Sequence, residues 1–159
     1  MKNTGTLKVE VRGEREILLT RVFDAPKELV WKAMTQSELV KRWFGPRGHQ
    51  LVECEIDLRP GGKWRYLILM PNGHTMGMRG EYLEVEPCDR MVHTESFDEY
   101  AEFGVGVITS GFAEEHGKTT FTGLQVAPSR EVRDAIVASG MEHGAAETYD
   151  RLAELLETL

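Results

Sequence analysis

Apolar and polar positions along this chain change period twice, and each change marks a change of secondary structure. Glu16 to Phe23 is rich in β-forming residues and stops at Asp24-Ala25-Pro26. There Asp24 is a candidate helix cap, and Pro26 suits a first helical turn, where the N–H it lacks has no partner to lose. Leu29, Val30, Ala33 and Met34 then recur at helical spacing, which predicts a short amphipathic helix from Pro26 to Thr35. Ser37 offers a second cap. After it, Leu39, Val40, Trp43 and Phe44 predict a second short helix ending at Gly45-Pro46.

From about residue 50 to 126 the period falls to two. Val52, Cys54, Ile56 and Leu58 alternate with Glu53, Glu55 and Asp57, the pattern of a half-buried strand. Arg59-Pro60-Gly61-Gly62 is a turn, and Trp64, Tyr66, Ile68 and Met70 form the bulky face of the next strand. Pro71-Asn72-Gly73 signals a hairpin. A long strand follows from His74 to Val85, with Gly77 and Gly80 as candidate bulge sites. Pro87 to Asp89 turns the chain into Arg90–Phe97. Two further strands, Val105–Glu114 and Thr119–Val126, meet at His116-Gly117.

The period then returns to helical. Ser129 caps a run beginning Arg130-Glu131-Val132, and Met141, Ala145, Thr148, Tyr149, Leu152, Leu155 and Leu156 share one stripe. Gly140 and Gly144 each weaken a helix by about 1 kcal/mol relative to alanine, so a kink or break is expected there. An antiparallel sheet with alternating faces needs a cover on one side, and this stripe can provide it. The predicted class is α+β.

Composition narrows the function classes. The 159 residues suit one domain, 1–159. Nineteen basic against 26 acidic side chains give a net charge of −7, with no basic run. Nucleic acid and anionic lipid are therefore poor partners. Cys54 and Cys88 are far apart and show no metal or scaffold spacing, and the charged N-terminal stretch lacks a signal-peptide core. A reduced, cytoplasmic setting without membrane insertion is the expectation. Five scattered histidines lack the spacing of a metal site, so neither metal nor cofactor is expected. The motifs of zincins, P-loops, Rossmann folds and nucleophile elbows are absent.

Four separated segments, in order, resemble one family: LTRVFDAPKELVWKAMTQSELVKRWFGP, DLRPGGKWRY, PNGHTMGMRGEYLEVEPCDRMVHTESF and SGMEHGAAETYDRLAELLETL. They are similar to the bacterial single-domain relatives of the activator of the heat-shock protein 90 ATPase, within the START-like (SRPBCC) helix-grip superfamily. The resemblance covers about residues 15–157. It implies a curved antiparallel sheet gripping a long C-terminal helix, two short helices after the first strand, and an internal cavity. It specifies fold far more closely than activity, since the superfamily includes lipid carriers, aromatase/cyclase-type enzymes, hormone receptors and chaperone partners.

Within that frame, parity sends Trp64 and Tyr66 to one face, with Met76 and Met78 on a neighbouring strand. They either fill the core or line a pocket for a flat or aliphatic ligand. In Arg90–Phe97 the bulkier set is Met91, His93, Glu95 and Phe97. If it faces inward, an imidazole and a carboxyl enter the sheltered side together, available to orient a ligand or act as acid and base. The helix-grip resemblance places Trp43 and Phe44 near the cavity entrance, where they either gate it or anchor a short helix. Met141 and Tyr149 belong to the buried stripe of the closing helix, whereas His143 falls off it and His74 lies at a loop edge.

Three functions follow. The first is non-catalytic carriage or sensing of a small hydrophobic molecule, lipid-like or aromatic. The second is a cyclase- or hydrolase-type enzyme in which His93, Glu95 and Tyr66 arrange the substrate. The third is a chaperone partner. Full activators of that chaperone use an additional N-terminal domain for which this length leaves no room, and a homodimer remains open as a further partner.

Overall fold

A computed structural model describes residues 7–159. Eight strands form one antiparallel sheet: β1 Lys8–Arg12, β2 Glu16–Phe23, β3 Gln50–Ile56, β4 Lys63–Leu69, β5 Thr75–Glu86, β6 Arg90–Phe97, β7 Gly106–Glu115 and β8 Lys118–Val126. Their spatial order is β1-β2-β8-β7-β6-β5-β4-β3, so every connection within β3–β8 joins neighbours. The crossover from β2 to the far edge is made by two short helices, α1 Lys27–Thr35 and α2 Ser37–Val40. Helices α3 Arg130–Ala138 and α4 Met141–Leu156 end the chain, and α4 lies in the grip of the curved sheet.

The alternation of β2 translates directly into burial. Ile17, Leu19, Arg21 and Phe23 point inward, and the residues between them are half-buried. The core beneath α4 joins Phe23, Val30, Trp31, Phe112 and Phe121 to Leu152, Ala153, Leu155 and Leu156. Burying an aliphatic or aromatic side chain in this way contributes roughly 1.5–3 kcal/mol. One charged group shares that interior: Arg21 is 0% exposed and donates to Asp150 Oδ1 of α4 at 2.9 Å.

Several local expectations are corrected. The exposed edge strand β1 precedes β2, so the short helices follow the second strand. Asp24 does not cap α1. Pro26 is the extended N-cap residue, and the Lys27 N–H donates instead to Glu114 of β7 at 2.8 Å. Ser37 lies inside α2 and caps nothing by its side chain; beyond Val40 the chain continues to Phe44 as hydrogen-bonded turns rather than helix.

In β3 a register shift between Leu51 and Glu53 breaks the alternation. Leu51 is buried and Val52 is turned outward, while Cys54 and Ile56 still pack on the core. Met70 falls just outside β4. The bulge in β5 sits at Leu83, between Tyr82 and Glu84, not at Gly77 or Gly80. Gly80 instead permits a close approach. A Cβ there would run into the Thr94 carbonyl and the Trp64 indole, which are joined by a 3.1 Å hydrogen bond passing over it. The C-terminal helical region does divide, at Ser139-Gly140, where Gly140 adopts φ 83° and Ser129 caps α3 through a bond from Val132 N–H.

Candidate functional site

The inward faces of the sheet and the first half of α4 enclose a cavity of about 290 Å³. Inward parity on β4 supplies Trp64 and Tyr66; β5 supplies Met78 and Tyr82, and β6 supplies Met91, His93 and Glu95. Helix α4 contributes Met141, Ala145, Thr148 and Tyr149 at helical spacing, and the turns after α2 contribute Trp43 and Phe44. The residues singled out from sequence therefore converge on one space, except Met76. It pairs with Ile68 nearer the hairpin and packs on the core without reaching the cavity.

Aromatic rings form a connected wall. Trp64 meets Tyr66 at 4.8 Å between centroids, Tyr66 meets Phe44 at 4.9 Å, and Phe44 meets Trp43 at 5.7 Å, all edge-to-face. Trp43 then contacts Tyr149 of α4, which contacts Phe121 of β8. Such pairs are worth about 0.5–1.5 kcal/mol beyond area burial, so the wall is stiff. Both cavity indoles are also fixed by their N–H groups: Trp43 donates to the Ala33 carbonyl at 2.9 Å, and Trp64 to that of Thr94.

The turn carrying Phe44 is held onto α4 by Arg151. Its Nη1 donates to the Gly45 carbonyl at 2.9 Å, and longer contacts reach the carbonyls of Phe44, Pro46 and His49. An Arg47–Glu154 ion pair reinforces the junction from outside.

Among the described residues the polar groups that line the cavity include one acid, Glu95, and no Lys or Arg to oppose it. Burial lowers the His93 pKa from 6.5 to about 4, so its imidazole is neutral at pH 7, and its Nδ1 has no hydrogen-bond partner. Burial also raises the Glu95 pKa from 4.5 to about 7, with neither a hydrogen bond nor a cation to oppose it. Tyr66 and Tyr149 are pushed above the ordinary phenol range, chiefly by burial, with Glu95 adding to both. Arg21 acts on Tyr149 in the opposite sense from the β2 side. It is engaged by Asp150 and does not line the cavity.

Chemically, this arrangement offers an apolar aromatic slot, a neutral imidazole and one carboxyl that exchanges its proton near neutral pH. Among the described residues no cluster of three His, Cys, Asp or Glu side chains could hold a metal ion. No helix among the described residues is long and apolar enough to cross a membrane. His143 pairs at the surface with Glu147, and His74 is exposed.

Sequence reasoning passed over several cavity residues. Tyr82 shares the parity of Met78, so its signal was present on β5. Gln125 was hidden for a physical reason. On β8 the inward set is Phe121, Gly123 and Gln125, whereas the opposite set includes Leu124 and Val126. Hydrophobicity alone selects the wrong face there.

Comparison with known proteins agrees with this architecture. A Rhodobacter sphaeroides protein of known structure is 28% identical, with a TM-score of 0.91 over 97% of this chain and 99% of its own. One from Nitrosomonas europaea is 26% identical, with a TM-score of 0.83 over 93% and 97%. Another, from Chromobacterium violaceum, is 28% identical, with a TM-score of 0.80 over 90% and 97%. No curated protein matches. The family model described as Activator of Hsp90 ATPase homolog 1-like protein matches residues 24–157, and with that span, the eight-stranded sheet and the closing helix in agreement, the chain belongs to that family.

Proposed function

We propose that this protein binds one small, largely apolar molecule in the cavity beneath α4, as a carrier or sensor rather than as a catalyst. The observation that carries the reading is the connected aromatic wall around a space left unfilled by side chains. A core of this composition ordinarily closes to crystal-like density, because unfilled volume forfeits dispersion contacts. At about 290 Å³ the space lies at the small end of ligand pockets. It suits a compact ring-bearing or short aliphatic molecule better than a two-chain lipid.

The test is native mass spectrometry of freshly purified protein, solvent extraction of whatever it carries, and thermal titration with small aromatic and aliphatic probes. Saturable stabilisation growing as RT ln(1 + [L]/Kd), without product, supports the reading. Failure of every probe to bind, together with a clean unliganded mass, overturns it.

A second reading draws on the convergence of His93 and Glu95 in the same cavity. A carboxyl with a pKa near 7 beside a neutral imidazole suits general acid–base work in an enzyme. It requires a probe that is consumed, with turnover lost in Glu95→Gln while the fold persists. Activation of a chaperone, which the family's name raises, would use the outer surface. It would survive a substitution such as Ala145→Leu that fills the cavity.

A further inference from the structure

We propose that the molecule bound in the cavity is a lipophilic organic cation, an aryl or alkyl amine or a quaternary ammonium, with its charge set against Glu95 and its apolar body among the rings. This rests on reading the cavity as a ligand site and adds the sign of the ligand's charge.

Among the described residues the wall contains no lysine or arginine. Its single acid, Glu95, has neither a hydrogen bond nor an ion pair among the described residues, and it is half-buried on the cavity wall. A carboxylate facing an apolar cavity without a partner is costly to a protein, and a cation brought by the ligand would relieve that cost. The nearest candidate from the protein, Arg21, is held by Asp150 behind the wall, so it does not fill the role.

The rings point to the same sign. Aromatic faces carry negative quadrupole potential and attract cations, most strongly when water is excluded. Because Trp43 and Trp64 both spend their N–H groups on backbone carbonyls, neither indole presents a donor to a ligand. Glu95 lines the same cavity as Tyr66 of the sheet and Tyr149 of the helix, so a cation set against it lies among these rings. An anionic ligand would meet the carboxyl with no cationic side chain in the described lining to compensate, only neutral donors such as the tyrosine hydroxyls, His93 and Gln125.

The titratable groups around Glu95 are few. Tyr66 lies on β4, Tyr82 on β5, His93 on its own strand β6 and Tyr149 on α4; on β7 its register partner is Gly106. The tyrosines remain protonated at neutral pH, and His93 is already neutral there. The pH response of cation binding therefore reports Glu95.

The experiment compares two probes of one shape, benzyltrimethylammonium and its carbon isostere neopentylbenzene, titrated by NMR into the full chain at pH 8 and pH 5.5. The cation is expected to bind about tenfold or more tightly than the isostere at pH 8, the scale of a desolvated cation–π contact joined to a carboxylate. That advantage should shrink severalfold at pH 5.5, and Glu95→Gln should erase the difference at both values. Equal binding of the two probes, or preference for neopentylbenzene at pH 8, overturns the cation assignment and leaves the cavity as a site for neutral ligands. Binding of neither probe overturns the cation assignment, and the reading of the cavity as a ligand site falls with it only when the other aromatic and aliphatic probes also fail and the purified protein gives a clean unliganded mass. The wild-type comparison and its pH dependence decide the matter even if the variant folds poorly.

Discussion

Helix α4 does two different things along its length. Its last turns carry Leu152, Ala153, Leu155 and Leu156, all packed to near-complete burial against the sheet. Its first turns carry Met141, Ala145, Thr148 and Tyr149 on the cavity side, and there the sheet and helix stay apart around a cavity. The two halves share one helix, one sheet and one stripe. What separates them is how the side chains meet the sheet: Leu152, Leu155 and Leu156 close one end, whereas Ala145 and Thr148 leave space at the other between Met141, Tyr149 and the rings of the sheet. The packed end anchors the fold, and the open end is the place where a ligand can be accommodated.

The sharpest way to break that comparison is to remove volume from the packed half. Leu152→Ala should destabilise by about 2–5 kcal/mol, since a fully buried leucine loses both transfer energy and packing. Denaturant titration measures it, and a loss under about 1 kcal/mol would show that this end is no better packed than the other.

Next in size is the charge in the open half. The Glu95 pKa is about 7 in the folded chain against an ordinary 4.5, so between those values the native state holds more protons than the unfolded state. Its contribution to stability therefore falls as pH rises from 4.5 to 7. His93, at about 4 against 6.5, behaves oppositely: stability rises with pH across that window. The two slopes oppose each other in the wild type. Glu95→Gln should gain on the wild type by up to ~3 kcal/mol between pH 4.5 and 7.5, since one pKa unit is about 1.4 kcal/mol. Paired denaturation curves at the two pH values check this, and a pH-independent difference would contradict it.

A smaller effect is expected where neither half of α4 is touched. Ser129→Ala removes the side-chain acceptor for the Val132 N–H and should cost about 1 kcal/mol without altering ligand binding. A stability change of comparable size, and of either sign, should come from Ala145→Leu, which adds three carbons to existing space. We expect less than about 1.5 kcal/mol in either direction, with loss of probe binding in thermal titration. A large destabilisation there would mean that the open half is as closely packed as the other.

Much of this was legible in the chain itself. The period-two alternation of Trp64, Tyr66 and Ile68, the Pro71-Asn72-Gly73 turn and the C-terminal stripe all translate into the observed sheet and helix, because burial of one face leaves a single register available. The motifs around Asp24-Ala25-Pro26 and Pro60-Gly61-Gly62 identify the family, whose model matches residues 24–157. Where local signals went astray, a distant group had intervened. Glu114 replaced Asp24 at the start of α1, the β3 bulge turned Val52 outward, and Leu124 and Val126 masked the inward placement of Gln125.

Sequence alone thus determined the types and chain order of the main elements from β2 onward and most of the candidate residues on them, since these depend on periodicity and turn chemistry within a few residues. Only the tertiary structure decided that His93 and Glu95 share a cavity, that Glu95 meets no cation there, and that Met76 falls outside it. Those outcomes depend on sheet curvature and on where α4 lies across it. Both are sums over contacts between residues far apart in the chain, which no local pattern records.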